Sequence, residues 1–473
     1  MQQLKQNIPE AQRANPFRRA WNHLTDWEKS PVLKGINDRR MRKAERLIRE
    51  QKWRSVIGMR RAAVPALIKS FEKLGQIKSM DIVWTLVGIG TPAIHGLVGA
   101  LKDEDENVRA FSAKALAEIA EKKPKYGWKE FFPAIEGALL EEEARGAKGN
   151  LAELLGRIGD TGAVDSLITV LKDGDAHVIA CASRAFAKMG RPGIEALIGA
   201  LGNEDPKIRA HAARATADMR GERNVDCLEL AVPALIGRLG DGDHEVQKSA
   251  SDALRWVGDS SAIVPLYELM VGTDAFFLEV PAGKFVELMR EDGVKAGEII
   301  DARTIIASTA LALADIAGRH PDYAWEPMVP GFLKLVESND AWLQQIASDA
   351  LGTIAKSHPE YEWKEAASKI ARTLCVDRGN VRTEADKALV KMGMVSAKPL
   401  IHVMNNEHAS PWAAKALKEL AKKHAEEVAE EIVQAVNGNF GEDLKEISTG
   451  NGMAVQNLSD VLLECGKAME NAE

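Results

Sequence analysis

The sequence predicts an all-α protein, a right-handed α-solenoid (superhelix) of about ten helical hairpins with a helical cap at each end. Three observations carry that prediction. A short pattern recurs along the chain, alanine dominates one of its columns, and an apolar residue fills another in every copy. Origins of the pattern fall at Lys78, Val108, Ala147, Val178, Ile208, Val246, Ile305, Leu343, Val381 and Ala409.

Seven places after each origin stand Ala115, Ala185, Ala215, Ala253, Ala312, Ala350, Ala388 and Ala416, with Thr85 and Leu154 as the departures. Four places on, most copies are again small, as at Ser112, Ala182, Ala212 and Ala250. Eleven places on, the residue is apolar throughout, from Ile89 and Ile119 to Met392 and Leu420. Places 4, 7, 8 and 11 share one face of a helix. A face of alanines lets neighbouring backbones approach closely, and this element is helix B. Asp105, Asp205 and Asp243 precede it where a carboxylate would satisfy free backbone N–H groups.

Between successive B helices runs a second apolar stretch, helix A, opened by Pro65, Pro133, Pro233 or Pro330. Proline in a first turn loses no hydrogen bond and starts with a helical φ. Each A–B hairpin has two apolar faces that it cannot bury alone, so the units must stack.

The spacings between origins are 30, 39, 31, 30, 38, 59, 38, 38 and 28 residues. Three of the longer units carry Pro-x-Tyr-x-Trp, at Tyr126 and Trp128, Tyr323 and Trp325, and Tyr361 and Trp363. Proline stops helix B, and an extended link would point Tyr and Trp to one side. There they clamp the end of the hairpin against the next helix. The motif is framework. His320 and His358, just ahead of those prolines, read as side chains that cap helix carbonyls.

The Asp-x-x-Val-Arg opening of helix B and the Val-Pro-Ala-Leu opening of helix A resemble HEAT repeats, particularly the short type named after phycobilisome lyases (PBS lyase). The resemblance covers residues 60–424 and implies the HEAT-like solenoid fold. It says little about function, because such arrays serve transport, chromosome, translation and scaffolding proteins alike. It also implies that Arg109, Arg209 and Arg382, one place after their origins, form a structural ladder between repeats.

The organisation that follows is a basic helical segment at 1–61, a repeat array at 62–424, and an acidic helical cap at 425–473. The array's longest spacing places an insertion near 271–300, either a flap with an apolar tip or a degenerate repeat. Two helices, 426–436 and 454–469, form the C-terminal cap, with a polar outer face expected.

Net charge is −7, but it is unevenly spread: +10 over residues 1–61 and −9 over 424–473. A basic head on an acidic body implies an anionic partner for the head or docking of head on body. Cys181, Cys227, Cys375 and Cys465 are far apart and form no Cys-x-x-Cys pair, which fits reduced thiols in the cytoplasm. The first residues lack the apolar core of a secretory signal. Residues 82–101 are apolar and uncharged over a length that could cross a bilayer, but Gly90 and Pro92 interrupt them where the repeat needs a turn, so no membrane span is expected.

No pair of histidines has metal-ligand spacing, no Ser-His-Asp arrangement or phosphate-cradling loop is recognisable, and no cofactor is implied. HEAT-built hydroxylases that bind iron need several His-Glu pairs, and His244-Glu245 stands alone. A bilin-lyase-like enzyme has no motif to carry over. A DNA glycosylase-like one would draw on Trp84, Trp256 and Asp252, against the acidity of the array. The chain therefore reads as a non-catalytic scaffold or adaptor with a protein partner.

Helix B is expected to line the concave surface, so its solvent-facing residues are the candidate contacts. These are Trp84, Lys114, Arg184, Arg214, Lys387 and Lys415 six places after their origins, with Trp256 beside them. Arg184 and Arg214 would lie about 10 Å apart, one helix diameter. They would suit an acidic peptide or phosphate unless Asp175, Glu204, Asp205 or Asp218 neutralises them. The alternative partner is nucleic acid, held by Arg39, Arg40, Arg42, Lys43, Arg46, Arg49 and Trp53. The apolar stripe of Ala44, Leu47 and Ile48 on the same helix could instead cap the first repeat and leave the charge in water. Oligomeric state is not legible.

Overall fold

Asp105 accepts hydrogen bonds from the backbone N–H groups of Asn107 (2.8 Å) and Val108 (3.1 Å), and so starts a B helix as its position predicts. Asp205 and Asp243 do the same, and so do Asp175 and Asp340. The structure, a computed structural model, describes residues 31–72, 76–221, 227–273, 296–376, 378–436 and 452–470. All its elements are helical among these residues. The insertion near 271–300 falls almost wholly outside the described residues, as do the first 30 residues and the glycine-rich link between the last two helices.

The chain divides into two compact units at the Met189–Gly190 junction. The first opens with α1 (Pro31–Arg49) and α2 (Trp53–Gly58). Four A–B hairpins follow: α3 (Val64–Ser70) with α4 (Gln76–Ile89), α5 (Ile94–Ala100) with α6 (Glu106–Lys122), α7 (Phe132–Glu141) with α8 (Arg145–Ile158), and α9 (Val164–Leu171) with α10 (Ala176–Met189). In the second unit the hairpins are α11 (Arg191–Ala200) with α12 (Pro206–Asp218), α13 (Val232–Arg238) with α14 (His244–Val257), and α15 (Ile263–Gly272) with α16 (Ala296–Arg319). They continue as α17 (Val329–Glu337) with α18 (Ala341–Ser357), α19 (Lys364–Thr373) with α20 (Gly379–Met392), α21 (Ala397–His402) with α22 (Ser410–Ala421), and α23 (Ala425–Val436) with α24 (Gly452–Glu470).

Within each unit every B helix packs on the next one. The alanine seam is the contact surface: Ala115, Ala185, Ala215, Ala253, Ala312, Ala350, Ala388 and Ala416 are fully buried. The two departures are buried as well. Leu154 packs as an ordinary core residue, and Thr85 satisfies its hydroxyl on the Asp81 carbonyl at 2.7 Å. Small residues let the backbones meet. A Cβ added at Gly156 of α8 would lie 2.2 Å from the Ala185 Cα of α10, and one at Gly352 of α18 would lie 2.7 Å from the Ala388 Cα of α20.

The tyrosine–tryptophan motif is a clamp, but its link is a tight turn rather than an extended segment. The Lys123 carbonyl accepts both the Tyr126 N–H (3.1 Å) and the Trp128 indole N–H (3.0 Å). The same double acceptance recurs at His320, from Tyr323 and Trp325, and at His358, from Tyr361 and Trp363. A carbonyl at the end of a helix has no intrahelical partner, so the buried indole supplies the missing donor. The capping group is therefore tryptophan. The His358 imidazole instead stacks on Tyr361 and meets the Glu360 carboxylate at 2.9 Å.

Arg109 and Arg209 tie repeats together as the resemblance implied, whereas the bond of Arg382 to the Leu374 carbonyl stays within its own hairpin. Arg109 grips Glu142, two residues ahead of the next B helix's first cap position, with two bonds of 2.7 and 2.9 Å, and also bonds the Asp103 and Glu104 carbonyls. Arg209 repeats this on Asp241, with the Asn203 and Glu204 carbonyls. Burial pushes the Asp241 carboxyl up, but the bond from Arg209, the Asp243 N–H and the charges of Arg209 and Arg238 together outweigh it and hold the group below the usual carboxylate range. Gln247 and Gln344 stand at the equivalent place and keep only the bond to the loop carbonyl. Arg382 bonds the Leu374 carbonyl at 3.1 Å.

No helix among the described residues is long and apolar enough to cross a membrane. The apolar stretch near residues 82–101 is split by Gly90, at φ +74°, into two helices bent by 112°. At the C-terminus both cap helices form where predicted, but their surface is not uniformly polar: Val433, Val436, Met453, Val455 and Leu463 are exposed.

Candidate partner-binding face

The solvent-facing residues of helix B follow from the seam. With places 4, 7, 8 and 11 buried, places 6 and 10 of each B helix turn away from the core. In the first unit these two rows neutralise each other. Lys114 pairs with Glu118 on its own helix and with Glu153 on α8, at 3.6 and 3.3 Å. Arg157 meets Glu153 at 2.5 Å and Glu118 at 3.1 Å. Arg184 of α10 reaches Glu153 at 4.0 Å, and Lys188 reaches Glu121 at 3.2 Å. Burial would push the Glu153 carboxyl up, but Lys114, Arg157 and Arg184 together hold it below the usual range.

Arg184 is thus neutralised from within the face, by Glu153. Of the acids proposed for that role, Asp175 pairs with Arg145 instead and Asp205 caps α12. The expected neighbours Arg184 and Arg214 belong to different units. Trp84 is half exposed, with the Lys122 ammonium 5.7 Å from its ring centroid.

In the second unit, Lys387 pairs with Glu384 at 2.7 Å, and Lys415 bonds the buried Asp386. Arg214 is exposed and makes no hydrogen bond or ion pair among the described residues. Close by in sequence, Arg220 leaves the end of α12 and lays its guanidinium 3.3 Å from the centre of the Trp256 ring. Trp256 sits in the last turn of α14 and is 41% exposed. Arg255 lies 4.8 Å from the same ring and pairs with Asp315 of α16. Arg319, at the end of α16, donates to the Trp256 carbonyl (2.9 Å) and the Arg255 carbonyl (2.7 Å). The last turn of α14 is thereby capped from the neighbouring repeat, and Trp256 is held in place.

Sequence reading found Arg214 and Trp256 in this cluster and missed Arg220, Arg255 and Arg319. These three lie at or beyond the helix ends, outside the row counted at place 6. A large exposed aromatic in a face made mostly of charged residues was the signal pointing to them.

On α1, Ala44, Leu47 and Ile48 are buried against the first hairpin. Arg39, Arg40, Arg42, Lys43, Arg46 and Arg49 are all exposed, and Trp53 is partly buried. The stripe serves as a cap and the charge faces water. Trp84 belongs to the first unit, whereas Trp256 and Asp252 belong to the second, where Asp252 faces Lys248 at 3.9 Å. Among the described residues no group of His, Cys, Asp and Glu could hold a metal ion.

The HEAT repeats family matches residues 194–277, a stretch that includes α12, α14, Arg214, Arg220, Arg255 and Trp256. No curated protein matches the chain. Among solved structures the chain is similar to an engineered protein, at 22% identity over 79% of this chain and 98% of that one, with a TM-score of 0.39. It is similar to the karyopherin Kap121p, solved bound to the extreme C-terminus of the protein phosphatase Cdc14p, at 14% identity over 82% of this chain, with a TM-score of 0.49. It is also similar to yeast importin-beta (Kap95p), at 12% identity over 94% of this chain, with a TM-score of 0.44. The chain spans 43% of the length of the first karyopherin and 63% of that of the second.

Proposed function

We propose that this protein is a non-catalytic scaffold of the cytoplasm that holds a protein partner along the outward face of its B helices. The observation that carries the reading is the division of labour along that face. In the first unit its charges are spent on one another, whereas in the second unit Arg214 has no partner among the described residues and Trp256 is exposed on a fixed backbone. Exposed tryptophan and arginine are the side chains that dominate protein interfaces. The repeat spacing of about 30 residues in the short units supports kinship with the short, phycobilisome-lyase type of HEAT repeat.

Capture of partners by the full chain from its native source, with and without nuclease, tests this reading. Protein partners retained after nuclease treatment support it. Loss of all partners on RNA and DNA digestion would overturn it and shift the role to the exposed basic face of α1.

A further inference from the structure

The arginine–tryptophan cluster is built for a particular chemistry. A guanidinium lying flat on an indole is held by cation–π attraction, and its N–H groups then point outward in its own plane. That leaves the edge of Arg220 presented like a fork, the geometry that carboxylate and phosphoryl oxygens accept with two parallel bonds. Arg220 has no carboxylate partner among the described residues. Arg214 adds a second exposed guanidinium that has no partner among the described residues. Of the acids on the outward faces of the same helices, Asp315 is engaged by Arg255 and Asp252 by Lys248, and Asp218 of α12 is not free either. The Trp256 indole N–H also has no acceptor among the described residues, although every indole of the Tyr–Trp clamps has one.

We infer that the Arg220–Trp256 stack, with Arg214 on the outward row of the helix that precedes Arg220, is a docking site for an acidic peptide segment of a protein partner. Its anionic oxygens would be gripped by the fork of Arg220, with Arg214 as a second contact and the Trp256 ring as an apolar platform. The inference rests on the scaffold reading above and names the class of partner. Arg319 and Arg255 act as positioning residues: one caps the α14 backbone, and the other turns its charge to Asp315.

The test uses the full chain and two fluorescein-labelled peptides rich in glutamate and glycine, one of which carries a central phosphoserine. A single-stranded oligonucleotide of equal charge completes the set. Fluorescence anisotropy in moderate salt should show binding of at least one peptide, weakening as salt rises. The variant Arg214→Ala/Arg220→Ala should lose at least tenfold in affinity, with its thermal transition unchanged. Arg220→Lys keeps the charge but not the fork and should lose at least threefold, so the idea stays testable if the double variant does not fold.

Preference for the phosphorylated peptide assigns the anion to a phosphoryl group, and equal binding assigns it to side-chain carboxylates. Failure of both peptides to bind, affinity unchanged in both variants, or tighter binding of the oligonucleotide would each overturn the proposal. If the peptides fail while proteins are still captured after nuclease treatment, the peptide site falls and the scaffold reading stands. If no protein is captured either, both fall.

Discussion

Gly156→Ala is the substitution that asks most directly whether the seam between B helices is as tight as described. The new methyl carbon would stand 2.2 Å from the Ala185 Cα, 2.5 Å from its Cβ and 3.0 Å from its carbonyl carbon. Carbon atoms in contact rest about 3.5–4.0 Å apart. No rotamer change can relieve the clash, because the obstructing atoms are backbone and Cβ. Helices α8 and α10 must therefore separate by about 1.5 Å at this point, since a 2.2 Å approach has to open to an ordinary contact.

Such a gap forfeits a large share of the dispersion contact along the buried row of Leu151, Ala152, Leu155, Ala182 and Ala185. Overpacking of this kind costs about 1–3 kcal/mol, or more where backbone is involved. The gain in helix propensity from glycine to alanine returns about 1 kcal/mol. Taking the upper end of that cost, because the obstructing atoms are backbone and Cβ, a net loss of about 2 kcal/mol remains, or roughly 4–8 °C in the transition of a unit of this size. Differential scanning calorimetry of the full chain measures it. Gly137→Ala is the matched control, because a Cβ there, in the middle of α7, meets nothing within 4 Å. That variant should be neutral or stabilising by up to about 1 kcal/mol. If Gly156→Ala is no less stable than Gly137→Ala, the close-packed seam is wrong.

Other expectations follow from the same architecture. Trp325→Phe removes the indole N–H from the His320 carbonyl while keeping most of the buried ring. It should cost about 1–3 kcal/mol in equilibrium urea unfolding, against less than about 1 kcal/mol for Asp322→Ala on the exposed turn beside it. The Asp241 and Glu142 carboxyls are both held below their usual range, so their contribution to stability is present above the unfolded-state carboxylate pKa and is lost as pH falls through the folded one. Arg209→Ala should therefore shift the midpoint of acid unfolding, followed by circular dichroism, to higher pH; an unchanged midpoint would count against the ion pair. Burial is the main reason the Asp386 carboxyl titrates above its usual range, against the pull of Lys415. A group with a raised folded pKa favours the native state at low pH. The stability of Asp386→Asn should thus exceed that of the parent near neutrality, with the gap closing as pH falls through the carboxylate range.

The parts of the fold that depend on local periodicity were legible in the sequence. The alanine column located the seam, aspartate at the right offset located helix starts, and the terminal pair at 426–436 and 454–469 emerged within two residues of the observed Ala425–Val436 and Gly452–Glu470. What was not legible depends on geometry between repeats. Spacing alone does not show that the partner of Arg184 is Glu153, or that an indole bonds the carbonyl five residues behind it. A spacing of two between tyrosine and tryptophan suits a strand-like link as well as a turn, and the helix-end carbonyl decided for the turn. The binding site was half visible: Arg214 fell within the count and Trp256 was noted beside it, while Arg220 and Arg319, past or at the ends of their helices, meet the tryptophan only when repeats stack.

Whether partners are held on the outward face of the B helices can be read by placing a photoreactive amino acid at single sites in the full chain and mapping the crosslinks by mass spectrometry. Sites at Trp84, Arg214, Leu311 and Lys387 sample that face, and the exposed Leu140 and Val264 on A helices serve as the comparison. Protein crosslinks are expected from the B-helix sites, strongest at Arg214, with few or none from the A-helix sites. Crosslinks confined to Leu140 and Val264 would contradict that placement of partners.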